Sequence, residues 1–141
     1  MIDYLKYNHQ LNKLLRDRRA ISRRFDPLLK AAHGDDLGDV MDDEHVELVI
    51  VDDQIHRLVT NRLWEQAKKA MIPIPKQKDE GMWEETETRP GSYHLSVEGI
   101  NVLRAALRKE NRERWDVAVK LIVLLTGLVG AVTGLLAIIL K

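Results

Sequence analysis

Apolar and aromatic side chains near the start of the chain recur at alternating intervals of three and four: Tyr4, Tyr7, Leu11, Leu14, Ile21, Phe25 and Leu28, with only Arg18 breaking the series. This interval puts them on one stripe of an α-helix, in the a/d pattern of a coiled-coil seam. Proline lacks an N–H and disfavours helical geometry at the residue before it, so a kink or restart is expected near Asp26-Pro27. The segment "HGDDLGD" then predicts a turn. A second stripe follows, with Leu48, Val51, Ile55, Leu58 or Val59, Leu63, Ala67 and Ala70 on one face, and it ends before "IPIP" at 72–75. Two long helices joined by a short loop fold back on each other, which predicts an antiparallel, coiled-coil-like hairpin over 1–72 with Leu11, Leu14, Ile21, Phe25, Leu48, Val51 and Ile55 in its seam. Such a pair has little interior and is expected to pack against copies of itself. Arg18 and Arg62 are costly in a dry seam and suit positions where they meet acids such as Asp52 or Glu65.

Residues 73–95 change character. Prolines and "KQKDEG" read as a linker, and "MWEETETRPGSYHLS" reads as two short strand-forming stretches separated by "RPGS", a small β-hairpin. Ser96 is placed to cap a helix that continues through "INVLRAALRKENRERWDV" without a proline. If unbroken, about 45 residues would make a rod of about 65 Å.

The chain closes with "WDVAVKLIVLLTGLVGAVTGLLAIILK". The twenty residues from Leu121 to Leu140 carry no charge, and at ~1.5 Å per residue they match a hydrocarbon core ~30 Å thick. The expected fold is therefore all-α: the helical hairpin of 1–72, the linker with its short β-hairpin, a juxtamembrane helix over 96–116, and a single C-terminal transmembrane helix over 117–140. Arg112, Arg114, Trp115 and Lys120 are the expected interface anchors. Arg104, Arg108 and Lys109 add to the bases before the span, against Lys141 after it, so the N-terminal part is expected to be cytoplasmic and the protein tail-anchored, with a bacterial inner membrane as its expected location. No secretory signal is read at the start, where Asp3, Lys6, Asn8 and His9 interrupt the apolar residues. Gly127, Gly130, Ala131, Gly134 and Ala137 form a stripe of small residues suited to close helix packing, and Thr126 and Thr133 are candidate pore-lining residues.

"SYHLSVEGINVLRAAL" resembles the last strand and following helix of winged-helix regulators, in which an aromatic residue, Leu, Ser or Thr, Gly and Leu recur at similar spacing. The resemblance covers about sixteen residues of the chain. The preceding helices are far longer than that fold uses and no recognition helix stands before the hairpin, so DNA binding does not carry over.

Composition narrows the function classes. Lys plus Arg and Asp plus Glu are 22 each, so no charge excess points to nucleic acid. There is no cysteine, which removes disulfides and thiolate chemistry. Phosphate-cradling glycine loops are absent, and Ser22, Ser92 and Ser96 sit in no nucleophile elbow. Asp42-x-x-His45 recurs as Asp53-x-x-His56 on one helix face, but about 16 Å apart along the axis, too far to share an ion. No metal, cofactor or catalytic residue is assigned on this basis. The basic run Arg16–Arg24 is expected to pair with the acids of 35–47 across the turn. The function expected is that of a non-enzymatic, membrane-tethered helical scaffold whose partners are the lipid bilayer, further copies of itself and an unidentified protein. The alternative is an oligomeric membrane effector that opens a pore, as in bacterial defence against viruses.

Overall fold

A computed structural model describes residues 2–139, excluding the side chains of Ile2, Asp35, Ala131, Val132 and 134–139. It contains three helices, α1 (Ile2–Ala31), α2 (Asp35–Ala70) and α3 (Val97–Ile139), and a two-stranded antiparallel sheet of β1 (Trp83–Glu85) and β2 (Tyr93–Leu95). The chain divides into two compact units, Met1–Leu103 and Arg104–Lys141.

α1 and α2 are antiparallel, with cross-contacts at steadily complementary positions. Arg62 lies over the rings of Tyr4 and Tyr7, 5.1 and 4.2 Å from their centroids. Arg18 makes two bonds to Asp52, at 2.7 and 3.2 Å, and Arg24 pairs with Glu47. The Asp52 carboxylate raises the already high pKa of Arg18, chiefly through that hydrogen bond. Arg62 thus meets aromatic faces rather than Glu65, a contact a planar guanidinium makes readily. Phe25 is buried; Leu11, Leu14, Ile21, Leu48, Val51 and Ile55 are half-buried.

α1 runs through Pro27 without a break, against the restart expected there. The proline stands four residues from the end of the helix, so the hydrogen bond it forfeits lies in the last turns. The predicted turn also shrinks. α2 already begins at Asp35, after Gly34, whose φ of 62° and ψ of −132° suit glycine alone. Its other end closes with Met71 N–H on Lys68 O (3.1 Å) and Ile72 N–H on Ala67 O (2.9 Å), a Schellman arrangement just before Pro73.

α2 carries a second stripe, Asp53, His56, Thr60, Leu63 and Ala67, again at intervals of three and four. Asp53, Thr60, Leu63 and Ala67 are buried. The first three reach the hairpin: Asp53 accepts the Thr88 N–H (3.0 Å), the Thr60 hydroxyl accepts the Leu95 N–H (3.0 Å), and His56 meets His94. Thr60 thereby occupies an N–H of a strand that a two-stranded sheet leaves at its edge. Trp64 packs edge-on to Trp83 at 5.8 Å, and the Trp83 indole N–H donates to Pro75 O at 3.1 Å. Leu63 and Ala67 lie on this same stripe of α2.

β1 and β2 pair Trp83 with Leu95, Glu84 with His94 and Glu85 with Tyr93. Gly91, with φ 77°, turns the chain between them. Ser96 caps α3, its hydroxyl accepting the Gly99 N–H at 3.0 Å while its own N–H donates to Met82 O at 3.1 Å. The first turn of α3 lies so close to Met82 that glycine is required at 99.

Among the described residues no helix is long and apolar enough to cross a membrane. This overturns the expected single span over 117–140, and the tail-anchored, single-pass membrane architecture goes with it. The side-chain positions of Ala131, Gly134 and Ala137 of the small-residue stripe, and the whole of Leu140, lie outside what the structure describes. The described residues form three helices and a small two-stranded hairpin, without the transmembrane helix in which the expected fold ended.

Candidate functional site

The hydrogen bonds that Asp53 and Thr60 accept fix the hairpin on α2 so that three side chains converge between them: His56 from α2, Glu84 from β1 and His94 from β2. Glu84 and His94 are cross-strand partners, and such partners lie on the same face of a sheet. His56 Nδ1 is 2.9 Å from His94 Nε2, with the rings edge-to-face at 4.7 Å. His94 Nε2 is 3.7 Å from Glu84 Oε2. One ligand atom from each of the three residues lies within 4.8 Å of the others, the one such group among the described residues. They border a cleft of about 380 Å³ that Arg18, His45 and Asp52 also line.

His94 is buried and Glu84 exposed. On its far side, His94 Nδ1 lies 3.4 Å from the hydroxyl of Thr86, which is fully buried. If Nδ1–H donates to Thr86, the Nε2 lone pair faces His56 and Glu84, since a neutral imidazole has one donor and one acceptor. Burial lowers the His94 pKa from its ordinary value, and the neighbouring His56 lowers it further; Glu84 and Asp53 oppose the shift without cancelling it.

With the folded-state pKa of His94 below the ordinary 6.5, the unfolded chain takes up this proton first, so acid favours unfolding. The His94 effect is absent above about pH 6.5 and grows as the pH falls through the window between 6.5 and the folded value. In a chelating buffer, the urea midpoint is expected to fall between about pH 7 and about pH 5, and to fall less in His94→Gln. An equal fall in both chains would remove His94 as the cause.

The other sequence-derived candidates are dispersed. Asp42 and His45 are exposed and do not join the group. Arg112 and Lys120 are exposed, Arg114 binds Glu110 at 2.8 Å one turn away, and Trp115 is 70% exposed. Thr126 and Thr133 donate their hydroxyls to Ile122 O and Val129 O of their own helix, at 2.9 and 2.7 Å. Gly127 and Gly130 have open space where a Cβ would stand. Around them Val117, Val119, Leu121 to Leu125, Leu128 and Val129 are each more than half exposed.

Glu84, His94, Thr86 and Thr60 were missed as site residues. The one available signal was the turn at "RPGS", which fixes a register placing Glu84 opposite His94. No protein-family model, no curated protein and no solved structure matches the chain.

Proposed function

We propose that this protein is a non-enzymatic helical interaction module that assembles with copies of itself through the apolar part of α3. The observation that carries the reading is the uncovered run from Val117 to Val129. Five consecutive apolar residues, Leu121 to Leu125, are exposed, and at about 100° per residue they circle the helix. A helix that is apolar all round is an interior element, and exposed apolar surface of this extent marks an interaction site. The open surface at Gly127 and Gly130 lets another backbone approach closely. Copies of the same segment supply a matching apolar surface, and a symmetric contact between identical patches is the commonest route to oligomers. A pore has no observation of its own in its favour, because the hydroxyls of Thr126 and Thr133 are taken up within their helix.

The test is the particle mass of the full-length chain by light scattering, beside the double variant Gly127→Leu/Gly130→Leu. Self-assembly predicts a multiple of the 16.2 kDa chain that falls toward a single chain in the variant. A wild-type monomer, including one that floats with phosphatidylcholine vesicles, would assign the apolar segment to another cover. A variant mass equal to wild type would move the contact elsewhere.

A further inference from the structure

We propose that His56, Glu84 and His94 form a binding site for a divalent first-row metal ion, Zn2+ by the chemistry of its donors, which clamps the β-hairpin onto α2. Two imidazoles and one carboxylate are a ligand set that zinc accepts, leaving a fourth position for water. Glu84 is exposed, so that position opens toward the cleft. The donor atoms are already grouped within 4.8 Å. Tetrahedral coordination at ~2.0–2.1 Å sets the two ring nitrogens ~3.3 Å apart, so the 2.9 Å between His56 Nδ1 and His94 Nε2 has only to widen slightly.

Of the other carboxylates lining the cleft, Asp52, Asp53 and Glu85 are engaged elsewhere and Glu87 is outside the group of converging donor atoms, which leaves Glu84 as the ligand. Asp53 holds the Thr88 N–H, Asp52 holds Arg18, and Glu85 holds the Gly91 N–H at 2.6 Å. Thr86 supplies what an orienting neighbour supplies at metal sites. Its hydroxyl lies 3.4 Å from His94 Nδ1, and the tautomer in which Nδ1–H donates to it would present Nε2 to the ion. The ion would join three elements, α2, β1 and β2, adding to the hydrogen bonds and the Trp64–Trp83 contact that hold the hairpin on α2. The site is independent of the assembly through α3.

Zn2+ titrated calorimetrically into the full-length, chelator-stripped chain is expected to bind at one equivalent, and Co2+ in its place to develop the visible absorption of a low-coordinate site. His56→Gln and Glu84→Gln remove ligands at positions that are not fully buried. Each is expected to weaken Zn2+ binding by at least the ~10–100-fold that loss of a mere outer-shell partner costs, with an unchanged circular dichroism spectrum. Thr86→Val should weaken it about tenfold. His45→Gln, on the rim of the same cleft, should leave it unchanged. The proposal is overturned if wild type binds less than one equivalent, if both ligand variants bind as wild type does, or if His45→Gln abolishes binding.

Discussion

Replacing Gly99 with alanine is expected to destabilise the chain by about 3 kcal/mol, the upper end of the usual cost of forcing a methyl into a closed space. A Cβ at 99 would stand 2.3 Å from Met82 O and 3.0 Å from Leu95 Cδ2. The first obstacle is backbone, and it cannot swing aside as a side chain would. Met82 O also accepts the Ser96 N–H, and Ser96 caps α3 through Gly99 N–H. Moving Met82 would therefore loosen the start of α3 and the base of the hairpin together. Urea unfolding followed by tryptophan fluorescence, with Trp83 in β1 and Trp64 against it, reads the loss. Gly38→Ala is the control. It lies inside α2 with nothing within 4 Å of its Cβ position, and is expected to be neutral or stabilising by up to about 1 kcal/mol. Equal stability of Gly99→Ala and Gly38→Ala would mean that α3 does not sit on Met82 as described.

Leu95→Ala is expected to cost about 3 kcal/mol, within the range for truncating a fully buried leucine. Leu95 has no exposed surface, and its N–H is anchored on Thr60. Its side chain fills the space beside Gly99, so alanine leaves a cavity where β2 meets α3. Leu5, more than half exposed on α1, should tolerate the same change to within about 0.5 kcal/mol. Similar losses at both positions would contradict a core centred on the hairpin.

Much of the helical framework could be read from spacing alone. The intervals of three and four in 1–70 are set by helix geometry, and "RPGS" marks the hairpin turn because Gly91 takes a positive φ. The second seam of α2 was hidden because half of it is polar. The stripe of Asp53, His56 and Thr60 finds its partners only on the hairpin. That stripe is also why Leu63 and Ala67 read as an extension of the first seam. The candidate site was half visible. Asp53-x-x-His56 stood out as a motif, but its would-be partner pair, Asp42 and His45, lies three turns away and remains exposed. The ligands came from β1 and β2 instead, thirty-eight residues on in the case of His94. No local pattern encodes that meeting, since it depends on how the strands dock. The apolar end of the chain invited the opposite error. Its continuous lack of charge suggested a membrane span, whereas among the described residues no helix is long and apolar enough to cross one.

Self-association through α3 can be tested at single positions, because the chain has no cysteine. Gly130→Cys and Arg108→Cys, made separately in the full-length protein, would be exposed to a mild oxidant and the fraction of disulfide-linked dimer measured. Assembly through the apolar segment predicts rapid, high-yield linkage at 130 and little at 108. Equal, slow linkage at both positions would contradict it.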